Sequence, residues 1–227
     1  GHMSDRTYTR WGKRLPWLYI APIPLGFAWL LLWSPPEGAH GHIFLYLVST
    51  AVLVRALVSC CEVPSVALVP ELTRDYDERT GLMRFRYLFA WGGGLLMLFL
   101  AYGVFLKPDA GHAVGQLNPE GYWNYGLFGG LLIALTVLLS AAGQHKRMAR
   151  LPDVRPVSTS VGHAFGEIKE SLSNRAFLIF ALAAGLAVIS QGTTFSISNY
   201  LYLYVWQFNQ TAFGFYPVVL FLSVVAA

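Results

Sequence analysis

Six apolar runs, at roughly 17 to 34, 43 to 70, 85 to 106, 122 to 143, 176 to 205 and 212 to 227, constrain this chain more than any motif in it. A helix rises 1.5 Å per residue, so about 20 residues cross a hydrocarbon core, and most of the runs reach that length. They are apolar all round for about twice the length of a barrel strand, which alternates apolar and polar residues, so the runs predict helices and not strands. Charge agrees. Only 12% of the residues are charged against 55% hydrophobic, about half the charge of an ordinary soluble domain. The sequence predicts an all-α, polytopic membrane protein with six visible transmembrane helices. The two longest runs are expected to tilt, kink or project from the bilayer.

Basic residues then set a direction. Fourteen of the 16 Lys and Arg lie in 1–14, 71–86 and 144–175, leaving Lys107 in an opposite loop and Arg55 inside a span. By the positive-inside rule those three segments are cytoplasmic and 35–42, 107–121 and 206–211 face outward. The expected location is the plasma (inner) membrane. The net charge of +4 is accounted for by this asymmetry and implies no nucleic-acid partner.

The longest polar stretch, 144–175, holds Pro152 and Pro156 and ends in Phe165–Leu172, which reads as a short amphipathic surface helix. It divides the chain into a partial N-terminal helical bundle (1–143), a cytoplasmic central loop (144–175) and the start of a C-terminal helical bundle (176–227). Ala227 falls inside an apolar run and Gly1 is not an initiator methionine, so the chain is expected to be a fragment that opens in a loop between two spans. Gly1-His2-Met3 is read as native.

Three groups of residues carry a resemblance. Gly1 through Thr7 followed by Arg10-Trp11-Gly12-Lys13-Arg14 resembles the loop between the second and third helices of the major facilitator superfamily. The form of that loop, with Pro16-Trp17 behind it, resembles the glycoside-pentoside-hexuronide:cation symporter branch, which is melibiose permease-like. Glu62-Val63-Pro64 through Pro70-Glu71-Leu72-Thr73, then Glu78-Arg79-Thr80 and Arg86, resembles that branch's fourth helix, the loop after it and the start of the fifth. Asn174-Arg175-Ala176-Phe177 resembles the start of the seventh helix. The resemblance implies a partial major-facilitator fold, helices 3 to 8 of an expected twelve, monomeric at full length. It implies cation-coupled symport of a sugar or glycoside by alternating access, with Na⁺ or H⁺ as the coupling ion and no other cofactor. It also implies that the loop of Gly1, Asp5, Arg6, Arg10, Gly12, Lys13 and Arg14 acts as a conformational latch; the latch reading is favoured for Asp5 with Gly12, whereas for Lys13 and Arg14 the favoured reading is that they only set topology.

The residues themselves point to the second span. A charge at mid-membrane costs about 3 kcal/mol on insertion scales, so it faces a cavity or a partner. Arg55 and Glu62 are seven apart and share a helix face. A carboxylate is a hard oxygen ligand for Na⁺, can carry a proton and accepts hydrogen bonds from sugar hydroxyls, so Glu62 is the candidate for cation and substrate. The structural alternative is an Arg55–Glu62 ion pair that merely holds the helix. By resemblance Arg86, or Tyr87 one residue on, faces substrate, and interfacial anchoring is an equal alternative for Arg86. Trp91 and Tyr87 are candidates to stack on sugar rings, and Gln191 and Asn199 to bond hydroxyls, with packing the blander reading for each. Pro64 and Pro70 are expected to kink the second span.

Other chemistry finds little support. Cys60 and Cys61 diverge by about 100° on a helix, the six His lack ligand spacing, and Gly92-Gly93-Gly94 lies inside an apolar run with no Lys beside it. No nucleophile stands beside a base, so the chain is not expected to be an enzyme. Two alternatives to sugar symport stay open: transport of a lysophospholipid or other amphiphile, with Arg55 on a head-group phosphate, and an intramembrane enzyme using Glu62 as general base.

Overall fold

In a computed structural model of the chain, the described residues are 9, 14–73, 75–109, 111–112, 114–148 and 172–226. Among them every regular element is helical. The expected amphipathic helix at Phe165–Leu172 lies outside the described residues except for Leu172.

The first apolar run forms two helices, α1 (Leu15–Ile20) and α2 (Pro22–Trp33). The division follows from Pro22 and Pro24, which have no N–H to donate to the carbonyls of the preceding turn. Ala21 between them keeps right-handed helical dihedrals, donates to the Trp17 carbonyl and accepts from Leu25, so the helical path continues through the break. The second run is α3 (Ile43–Leu72), which continues through Pro64 and Pro70. Next comes α4 (Tyr76–Leu100), with a wider π-type turn at Ala101–Phe105. It starts nine residues ahead of the apolar run expected from 85, inside the segment read as a loop, because Asp75 caps the Glu78 N–H at 2.9 Å and Glu78 stands at the third helical position. The remaining long helices are α5 (Glu120–Met148) and α6 (Arg175–Tyr200, with a π-type turn at Leu201–Val205). Asn174 caps α6 by accepting from Ala176 and Phe177. The last helix is α7 (Gln210–Ala226).

Among the described residues four helical stretches, Ile43–Leu72, Tyr76–Phe105, Glu120–Lys146 and Arg175–Val205, are long and apolar enough to cross a membrane. The first and last expected spans are represented by the shorter apolar helices Pro22–Trp33 and Gln210–Ser223. Most large apolar side chains on these helices are exposed, Phe44 at 79% and Phe89 at 75% among them. Such surfaces are stable against lipid or further helices and not against water. The chain is an integral membrane protein.

Two compact units emerge, one holding α1 to α5 with α7, the other holding α6. In the first, α2 and α5 touch backbone to backbone. A Cβ on Gly26 would stand 2.7 Å from the Gly130 carbonyl oxygen, and one on Gly130 would stand 2.5 Å from that of Gly26. Only glycine permits this approach. Gly126 and Gly129 extend the same contact toward Trp33 and Trp29. Around it lie small apolar clusters: Leu15, Leu18, Leu68 and Ala141 at one end, and Ala101, Leu106 and Tyr125 at the other. Tyr46 on α3 donates to the Leu31 carbonyl at 2.7 Å, tying α3 to the end of α2.

Candidate functional site

A cleft of about 380 Å³ opens among α1 to α5 of the first unit. Leu25, Val58 and Val137 contribute apolar wall, and the polar groups are Glu62, Ser65, Arg86, Thr136 and Ser140. Helix geometry explains why α3 supplies two of them, since Glu62 and Ser65 are three apart and therefore neighbours on one face.

Arg86 comes to this face from α4. Its Nη1 donates to Ser65 Oγ at 2.9 Å, while its Nη2 stands 3.9 Å from Glu62 Oε1. Arg55 approaches from the other side, its Nη1 3.9 Å from Glu62 Oε2, so the two charges on one helix face do meet, at the outer limit of an ion pair. Glu62 thus lies between two guanidinium groups without a short bond to either. Its side chain is 48% exposed, that of Arg86 30% and that of Arg55 75%. At 3.9 Å neither ion pair is a hydrogen-bonded contact. The hydrogen bond to Ser65, at normal length and made by a charged donor, is the firmer contact.

The remaining predicted residues distribute as follows. Tyr87 and Trp91 are exposed, at 60% and 49%, and do not line the cleft. Gln191 and Asn199 stand on α6 in the second unit, both exposed. Trp29, Ser65, Thr136 and Ser140 line the cleft without having been singled out from the sequence. Ser65 had a usable signal, three residues after an intramembrane carboxylate. Thr136 and Ser140 had only their i, i+4 spacing on an apolar helix. Trp29 had none, because its place depends on the glycine contact with α5.

Of the latch loop, Gly1, Asp5, Arg6, Arg10, Gly12 and Lys13 lie outside the described residues, and Arg14 lies within them. Arg14 Nη2 pairs with Glu71 Oε1 at 2.8 Å, joining the start of α1 to the end of α3, and its side chain is 12% exposed. Arg79 closes the same end of α3, donating through Nε to the Thr73 carbonyl at 2.9 Å and through Nη2 to that of Pro70 at 3.4 Å. Both carbonyls belong to the last turn and its exit, where no intrahelical donor remains.

Among the described residues no three His, Cys, Asp or Glu side chains converge as metal ligands. Glu62 and Ser65 supply oxygen donors on one helix face, fewer than the roughly six that a hard cation takes. A cation held here would draw its other oxygens from substrate, water or further protein.

Comparison with known proteins covers the whole chain. The model of the family described as MFS/sugar transport protein matches residues 1–227. The symporter sll1374 of Synechocystis is 38% identical over 106 residues, 44% of this chain and 20% of the relative. The lactose permease of Lactobacillus helveticus is 26% identical over 217 residues, 90% of this chain and 32% of the relative. The sodium-dependent lysophosphatidylcholine symporter 1 of Gallus gallus is 27% identical over 84 residues, 37% of this chain and 16% of the relative. The aligned stretch therefore spans a third or less of each of these relatives. No solved structure matches the chain significantly. Apolar membrane-length helices, a charged cleft between them and a family match along the full sequence lead to one conclusion: the chain belongs to the MFS/sugar transport protein family.

Proposed function

We propose that this chain is part of a secondary active transporter that couples entry of a sugar or glycoside to Na⁺ or H⁺ by alternating access. The carrying observation is Glu62, a carboxylate on a membrane-length helix, set in an otherwise apolar cleft beside Arg86 and hydroxyl groups. That mixture suits a sugar, whose hydroxyls both donate and accept while its C–H faces favour apolar wall. The relative named a sodium-dependent symporter supports cation coupling, and the lactose permease supports the substrate class. In this reading α1 with α2 is the third helix of twelve and α7 the eighth. Residues 1–143 belong to the first bundle, 144–175 form the cytoplasmic loop and 176–227 begin the second bundle in the plasma membrane. Arg14 on Glu71 is the described part of the latch, biasing one access state. A transporter returns its substrate unchanged, which separates this reading from general-base chemistry at Glu62.

A second reading is favoured by two observations. Arg55 is 75% exposed and a lysophosphatidylcholine symporter is among the relatives, so a phosphate-bearing amphiphile is the alternative cargo. Uptake of labelled glycosides and lysolipids into vesicles by the full-length protein, with and without Na⁺ or pH gradients, decides between them. Gradient-driven accumulation of an unmodified glycoside, abolished or uncoupled in Glu62→Gln, is the expected result. Accumulation of lysolipid alone, lost in Arg55→Gln, would replace it.

A further inference from the structure

We propose that Ser65 is a positioning residue for coupling, holding the Arg86 guanidinium off Glu62 so that the carboxylate stays free to exchange its cation. The inference rests on the symport reading of the same cleft. Arg86 reaches α3 at a point where two acceptors lie side by side, Glu62 and Ser65, three residues apart on one helical face. A carboxylate is ordinarily the stronger partner for a guanidinium, and a fork-to-fork pair closes to about 2.8 Å. Here the order is reversed, since the 2.9 Å bond goes to the serine hydroxyl and the carboxylate is left at 3.9 Å. Arg55 does not fill the gap, because it too stops at 3.9 Å. Glu62 is thus surrounded by positive charge without being hydrogen-bonded by it.

That distance matters for coupling. A guanidinium closed onto Glu62 in a bidentate pair would occupy the oxygens a cation needs, and Na⁺ or H⁺ would have to displace it. With Arg86 anchored on Ser65, the cation competes only against two pairs held at 3.9 Å, beyond hydrogen-bond length. Ser65 therefore sets the cation concentration at which Glu62 loads, while Arg86 remains beside it to meet substrate.

Cation-dependent thermal stabilisation of the purified full-length protein reads this without any sugar, titrating Na⁺ against choline and, separately, pH. In wild type, stabilisation is expected at a defined cation midpoint and is expected to disappear in Glu62→Gln. Ser65→Ala is expected to shift that midpoint toward roughly tenfold higher cation, the scale of one charge-assisted hydrogen bond. Ser65→Cys shifts it in the same direction, and Ser65→Thr, which keeps the hydroxyl, leaves it in place. In an Arg86→Ala background Ser65→Ala has no further effect, because the residue acts only through the guanidinium. An unmoved midpoint in both Ser65→Ala and Ser65→Cys, or an undiminished shift without Arg86, would overturn the assignment. Absence of any cation response in wild type would overturn it together with coupling at Glu62. Failure of the sugar reading shows instead in the uptake panel, which this titration does not involve.

Discussion

Helices α5 and α6 are nearly equal in mean hydropathy and in length, yet 22% of the most apolar stretch of α5 is buried and 0% of that of α6. The difference lies in what their small residues meet. Gly126, Gly129 and Gly130 on α5 lie against Leu30, Trp33, Trp29 and the backbone of Gly26, whereas a Cβ on Gly185 or Gly192 of α6 would meet nothing within 4 Å. In lipid, apolarity alone does not bring helices together, because the acyl chains are as apolar as Leu; close backbone approach does. Hydropathy therefore finds the spans, and the glycines of α5 mark where, among the described residues, two of them meet backbone to backbone.

The largest expected effect comes from breaking the α2–α5 contact. Gly130→Leu or Gly26→Leu drives a side chain into a backbone carbonyl that cannot yield, and overpacking of this kind costs about 3 kcal/mol or more. The full-length protein in detergent should lose much of its monodisperse folded fraction, with a lower unfolding temperature in whatever remains. Gly192→Leu on α6 is the matched comparison: among the described residues a Cβ there meets nothing, so a loss it causes in the full-length protein reports contacts made outside them. Equal damage in both would show that α6 is packed as tightly as α5 and erase the contrast.

Smaller effects sharpen the comparison at the helix starts. Asp75 caps α4 in the first unit and Asn174 caps α6 in the second, each accepting backbone N–H groups. Asp75→Ala and Asn174→Ala should each cost about 1 kcal/mol, since a cap depends on local backbone and not on which unit the helix joins. Hydrogen exchange at the first turn of each helix reads this, and unequal losses would mean that tertiary contacts share the capping.

The smallest effect concerns the loop between α4 and α5. Desolvation pushes the Asp109 carboxyl upward, but hydrogen bonds from the His112 and Gly111 backbone and the nearby His112 ring outweigh it and hold the group below its ordinary value. A carboxyl lowered on folding adds stability above its unfolded pKa, and that contribution is lost as pH falls through the folded value. Asp109→Asn should therefore loosen this turn at neutral pH and match wild type once both are strongly acidified. Exchange rates at Gly111 and His112 that are pH-independent in their difference would contradict the sign.

How much of the site was legible in the sequence varies residue by residue. Glu62 and Arg55 stood out because an apolar run makes any charge costly, and their seven-residue spacing placed them on one face, where the structure brings them to 3.9 Å. Arg86 came only through family resemblance, since nothing in α4 alone says which α3 residue it reaches. Tyr87 and Trp91 were attractive as aromatic residues near it, but a helix turns 100° per residue, and only Arg86 of the three lines the cleft. Glu71 matched the family pattern, yet its pairing with Arg14 depends on how α1 meets the end of α3.

The sequence by itself determined that the chain is helical, that it lives in a membrane, roughly where its apolar helices lie and which charge sits in the wrong solvent. These are local or one-dimensional properties: hydropathy over about 20 residues and the cost of a charge within an apolar run. Tertiary structure alone decided that Arg86 bonds Ser65 in preference to Glu62, that Trp29 joins the cleft and that Gly26 faces Gly130. Each of those depends on the rotation and separation of two helices far apart in the chain, and no period within either helix encodes them.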